Sequence, residues 1–209
     1  MKITIILIAT FILTNVFADK YTDLMTKNID AVYKAATIED LQNAVNSFER
    51  IGGAEKSKWE PYYYASFGYI MMATRETDML KKDSYLDLAK VALDKAAAVK
   101  PDESEIVTLE GFIHMIRVSV DPASRGQKYS SLAGQAYGKA IGLNPQNPRA
   151  LGLLAQLQFG TAQFFKQAPT EACQTAKKAI ALFESSKPES AVAPVWGKGM
   201  TEELVRNCQ

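Results

Sequence analysis

The feature that most constrains this chain is a helical signature of small and bulky side chains, spaced four and then three residues apart, that keeps returning. Ala89-Leu93-Ala96, Ala133-Tyr137-Ala140 and Ala172-Ala176-Ala179 carry it, and Ala44-Phe48-Ile51 is a weaker copy. Those spacings put the three members on one face of a helix, where small residues let a neighbouring helix come close. The copies begin 45, 44 and 39 residues apart, and in two of them a proline follows five residues on, Pro101 and Pro145. A period of this length corresponds to a two-helix unit that buries its face by stacking on its neighbours. The expectation is a scaffold that presents a binding surface; the pattern does not name what is bound.

Residues 1–18 stand outside that pattern. Lys2 precedes an apolar run over residues 3–13, and Val16-Phe17-Ala18 places small residues where a signal peptidase reads. This predicts a secretory leader cut after Ala18. The alternative is an uncleaved anchor, although a run of about 15 residues falls short of the roughly 20 needed to span a bilayer. Asp19 follows the cut where a lipoprotein would carry cysteine. No later segment is long and apolar enough to cross a membrane, so no stable insertion is expected after cleavage. The product is expected to be periplasmic or secreted. In that oxidising setting Cys173 and Cys208 most simply form one disulfide, pinning the last segment onto the final repeat; two unpaired thiols are the alternative.

Charge removes some function classes. With Lys2 set aside there are 23 basic and 23 acidic side chains, and the basic residues form no cluster. Nucleic acid requires a concentrated positive footprint, and an anionic membrane surface requires a similar patch, so neither is expected as partner. Catalytic inventory is thin as well. His114 is the single histidine; with Glu110 and Arg117 on the same helix it reads as part of a polar cluster before it reads as a catalyst. One imidazole and two cysteines without paired zinc spacing give no transition-metal site, and no EF-hand loop, Walker loop or Gly-x-Ser-x-Gly elbow occurs. No cofactor and no metal are expected. An enzyme built around His114 is the remote alternative.

Caps and periodicity predict nine helices and no strand. They cover 21–36; 38–51, opened by Thr37 with Asp40 as a capping box and stopped by Gly52-Gly53; 59–76; and a stretch from Asp78 to Lys100. The others are 103–120, capped by Asp102; 127–143, after a break at Asp121-Pro122; 148–167; 171–185, preceded by Thr170; and 201–208. Between the last two lies a loop rich in Pro, Gly and Ser. Trp59, Tyr62, Tyr63, Tyr64, Phe67 and Tyr69 crowd the third helix. Neighbours on a helix are turned by about 100°, so this set cannot all face one side.

Residues 57–185 resemble tetratricopeptide repeats. The fullest join is Ala133-x3-Tyr137-x2-Ala140-x4-Pro145 followed by Asn147-Pro148 and a helix with Leu151, Leu154 and Ala155; Ala89, Leu93, Ala96 and Pro101 lead similarly to Val107 and Gly111. The family's unit is about 34 residues, so these units are longer, with the extra residues around 78–83, 121–128 and 163–170. The resemblance implies an all-α, right-handed superhelical solenoid of about four helix pairs. It divides the chain into the leader 1–18, a weak pair 19–56, the repeats 57–185, and a loop with capping helix 186–209. The end, Pro194-Val195-Trp196-Gly197 then Met200 to Cys208, is similar to that of small exported repeat proteins of Bacteroidetes. The family's concave wall is built by the first helix of each pair, which here implies Glu60, Tyr63 and Phe67, then Glu105, Thr108 and Phe112, then Arg149, Gly152 and Gln156. That lining is apolar and mixed in charge, suited to an unidentified protein or peptide. A small molecule or envelope polymer held in an aromatic pocket around Tyr63 and Phe67 is the alternative, and a groove-less helical bundle is the competing architecture.

Overall fold

The chain is described by a computed structural model over residues 20–208; the expected leader and its cut after Ala18 lie outside the described residues. Nine helices and no strand are found among them: α1 (20–34), α2 (Ile38–Ala54), α3 (Glu60–Arg75), α4 (Met79–Val99), α5 (Ser104–Val120), α6 (Pro122–Leu143), α7 (Pro148–Phe164), α8 (Thr170–Ser185) and α9 (Lys198–Arg206). Short connections fold α3 on α4, α5 on α6 and α7 on α8 as hairpins. The first helices α3, α5 and α7 lie side by side, and α9 closes the row against α7 and α8.

The recurring small residues are where the helices meet. Ala89, Leu93 and Ala96 are buried, as are Ala133, Tyr137 and Ala140, and Ala172, Ala176 and Ala179. Tyr137 lies over Gly111, where an added Cβ would stand 2.4 Å from its ring; Ala155 is buried in a cluster with Ala176 and Leu204. Gly111 of α5 thus receives the bulk of α6, and Ala155 of α7 meets the small Ala176 of α8 with Leu204 of α9 alongside. Packed interiors leave no room for one extra methyl at such points.

Local signals set most boundaries, and some differ from the sequence reading. The Thr37–Asp40 capping box forms as expected. Gly52-Gly53 does not stop α2, which continues to Ala54; Gly52 instead lets the Tyr62 ring approach, with an added Cβ only 2.7 Å away. Glu103, and not Asp102, caps α5 through its carboxylate, which accepts from the Glu105 amide. Asp121-Pro122 ends α5 as expected, and it also starts α6. The Asp121 carboxylate accepts from the Ser124 amide and Pro122 occupies the first turn, where its missing N–H costs nothing. That makes α6 begin earlier than position 127. Thr170 is the first residue of α8, and α9 begins at Lys198, ahead of Thr201.

Cys173 and Cys208 are joined as a disulfide across a sequence separation of 35, tying the end of the chain to α8. Closing that loop restricts the unfolded chain by about 3–4 kcal/mol in the entropy model. A Cys173→Ser/Cys208→Ser variant is therefore expected to lose about 3 kcal/mol of unfolding free energy in urea. Equal midpoints for the oxidised and variant proteins would show that α9 holds without it.

Candidate functional site

The first helices carry the implied wall, and the chain's own carboxy-terminal segment lies across it. Residues 186–197 are irregular and connect α8 to α9. From this segment the Trp196 indole enters between two wall rings, 5.0 Å from Phe67 and 5.7 Å from Phe112, nearly parallel to the latter at 17°. Its Nε1–H donates to the Tyr63 hydroxyl at 2.9 Å. The Tyr64 hydroxyl donates to the Val192 carbonyl at 3.1 Å, and the Val195 amide reaches the Tyr33 hydroxyl at 3.5 Å. Val192, Pro194 and Trp196 are buried.

Beneath the indole is a charged layer. The fully buried Tyr63 donates its hydroxyl to Glu105 Oε2 at 3.2 Å. Arg149 grips the same carboxylate with two bonds, Nε to Oε2 and Nη2 to Oε1, both 2.8 Å. A bidentate guanidinium fixes both position and direction. Burial, with Glu105 adding to it, pushes the Tyr63 phenol well up, so Tyr63 stays a neutral donor. Burial opposes the Arg149 charge, but the hydrogen-bonded Glu105 outweighs it and raises its pKa. Gly197 is needed at the turn above. Its φ is 99°, and an added Cβ would lie 3.2 Å from both Arg149 Cγ and the Phe183 ring.

The predicted wall residues separate into those the fold gathers and those it does not. Tyr63, Phe67, Glu105, Phe112 and Arg149 converge around Trp196. Thr108 belongs to a different contact: its hydroxyl donates to the Ser104 carbonyl and accepts from Asn147, whose Oδ1 caps α7. Gly152 receives Thr201 of α9, whose Oγ1 would stand 2.5 Å from an added Cβ. Gln156 borders the crevice between α7 and Trp196. Glu60 sits at the rim and accepts from the Tyr21 hydroxyl at 3.4 Å. A recess of about 780 Å³ remains along this rim, between Trp59, Glu60, Lys100 and Arg149 on one side and the tail on the other.

Sequence reasoning missed Trp196 as an occupant of this wall. The available signal was a lone indole in a Pro- and Gly-rich loop, a large apolar side chain with no helix of its own to pack on.

His114 lies elsewhere on α5. Its ring stacks on Tyr129 at 5.9 Å, its Nδ1 is buried without a hydrogen-bond partner, and burial lowers its pKa against the pull of Glu110. Both sulfurs are in the disulfide, so neither is a thiolate for it to activate. Among the described residues no group of three or more His, Cys, Asp or Glu is placed to hold a metal, and no helix is long and apolar enough to cross a membrane.

Among solved structures the chain is similar to the HusA haemophore from Porphyromonas gingivalis. The TM-score is 0.80 at 28% identity, covering 90% of this chain and 92% of that one. A second match, to the MamA protein, has a TM-score of 0.43 at 16% identity over 88% of this chain and 87% of that chain. No protein-family model and no curated protein matches. The fold is a tetratricopeptide-like helical repeat, and the molecule is a helical binding scaffold.

Proposed function

We propose that this chain is an exported, non-enzymatic carrier whose cargo is haem or a closely related tetrapyrrole. The observation that carries the reading is the similarity to a haemophore along nearly the whole of both chains. The Cys173–Cys208 bond supports an oxidising, extracytoplasmic setting, in keeping with the expected leader and a periplasmic or secreted product. A tetrapyrrole is a flat apolar plate with carboxylates at one edge. A protein that carries it needs an apolar surface with cations at its border, on elements rigid enough to keep that spacing.

The direct test is a hemin titration of the purified, disulfide-intact protein, following the Soret band. Saturable binding with a stoichiometry near one per chain is expected. A spectrum identical to free hemin throughout would remove haem as cargo.

A second reading keeps a protein or peptide as partner on the concave wall, through Glu60, Tyr63, Phe67, Glu105, Phe112, Arg149 and Gln156. One observation favours it: the wall already holds an irregular peptide segment, the chain's own residues 186–197, with an indole seated between rings and main-chain groups bonded to tyrosine hydroxyls. A partner there exchanges with the tail. Capture of a protein by wild type and its loss on Phe112→Ala, with the fold intact, would support this reading over the first.

A further inference from the structure

At the amino-terminal end of the stack, the start of α1 and the end of α2 border a depression of about 570 Å³. That is within the range of about 300–1,000 Å³ usual for small-molecule sites. Its lining combines an apolar floor of Tyr21, Leu24, Ile51 and Ala54 with the polar Asn28 and Ser47 and the cations Lys20, Lys27 and Arg50 at its border. Leu24 is 42% exposed, so the floor is open to a ligand. Among the described residues none of the three border cations is in an ion pair. Arg50 makes one bond, to the Ser47 hydroxyl. A further cation, Lys58, lies 5.3 Å from the Tyr21 ring centroid. Glu55 is the one carboxylate of the lining.

The end face is not built to receive another helix pair. A stacked module needs a continuous small or apolar stripe, as in Ala89-Leu93-Ala96. Along α2 the neighbouring surface runs instead through Asn43, Asn46, Ser47, Glu49 and Arg50, and the apolar part of the depression is confined to Tyr21, Leu24, Ile51 and Ala54. What fits is a small, flat, apolar body with more than one negative charge.

We propose that this depression is the tetrapyrrole site, with the macrocycle on Tyr21, Leu24 and Ile51 and its two carboxylates paired by Lys27 and Arg50. The assignment rests on the carrier reading above and adds where the cargo sits and which groups hold its charged edge. Carboxylate pairing at an exposed border is screened by salt, so hemin affinity falls as ionic strength rises.

The test is hemin titration of Lys27→Glu/Arg50→Glu, with Lys187→Glu/Lys198→Glu at the opposite recess as a control of equal charge change. All four residues face solvent or the protein border, and circular dichroism checks that both variants fold. At low salt the first variant is expected to bind at least tenfold more weakly than wild type and the control within about twofold. The dimethyl ester of hemin is expected to lose a comparable factor on wild type. Equal hemin affinity in wild type and Lys27→Glu/Arg50→Glu would place the cargo elsewhere while leaving the carrier reading intact. No hemin binding by wild type would overturn both. Sedimentation of ligand-free protein adds one more outcome: a dimer that Lys27→Glu/Arg50→Glu dissolves would make a second copy the occupant and overturn the assignment.

Discussion

Trp196→Ala is expected to lower the unfolding free energy by about 3–5 kcal/mol, the usual cost of truncating a large buried aromatic. The indole is only 8% exposed, and its removal uncovers the facing rings of Phe67 and Phe112 and deletes a donor to Tyr63. The tail would then be held by the Tyr64–Val192 and Tyr33–Val195 bonds and by α9, which the disulfide tethers. Urea unfolding measures the loss. Limited digestion with a glutamyl endopeptidase locates it, because cleavage after Glu189, in the irregular segment, should accelerate well before the helices are cut. Trp196→Phe, which keeps a ring between Phe67 and Phe112 but has no N–H, should recover more than half of the deficit. If Trp196→Ala unfolds within about 0.5 kcal/mol of wild type, the value usual for surface positions, the tail is an adornment and not part of the core. The same variant separates the two functional readings. It should strengthen any partner that competes with the tail for the wall, and leave a ligand of the α1–α2 depression unaffected.

Much of the architecture was legible because it rests on local, periodic signals. Ala133, Tyr137 and Ala140 announce a packed face through spacing alone, and the pairing of Tyr137 with Gly111 follows once two helices are placed in register. Caps were legible to within a few residues, but proline misled at Asp121-Pro122: the same dipeptide ends one helix and begins the next, and only the Ser124 bond to Asp121 fixes which. The candidate site was less legible. Membership of the wall follows from helix face, a short-range property. Occupancy by Trp196 is a contact between positions 63 and 196, separated by 133 residues, and nothing in a helical period encodes it. The Glu105–Arg149 pair is hidden in the same way. Helix face puts both residues on the wall, but only superposing consecutive first helices brings them within 2.8 Å.

That pair supports the second large effect. Arg149→Ala is expected to cost about 3–5 kcal/mol, because it leaves the Glu105 carboxylate in the interior with no countercharge. The side chains of Arg149 and Glu105 are 12% and 11% exposed, so water cannot fully replace the guanidinium. Tyr63 alone would remain as a donor to that carboxylate. An exposed ion pair would give a different result, typically about 0–1 kcal/mol on loss of one partner. The two cases are separated by a double-mutant cycle in urea. Arg149→Met removes the charge but keeps much of the packing, and Glu105→Gln then removes the stranded carboxylate while keeping an acceptor for Tyr63. If the cost is that of an unpaired buried charge, adding Glu105→Gln to Arg149→Met should restore about 1–3 kcal/mol. Strictly additive losses would mean that the two side chains act independently, and that the layer beneath Trp196 is held by aromatic packing alone.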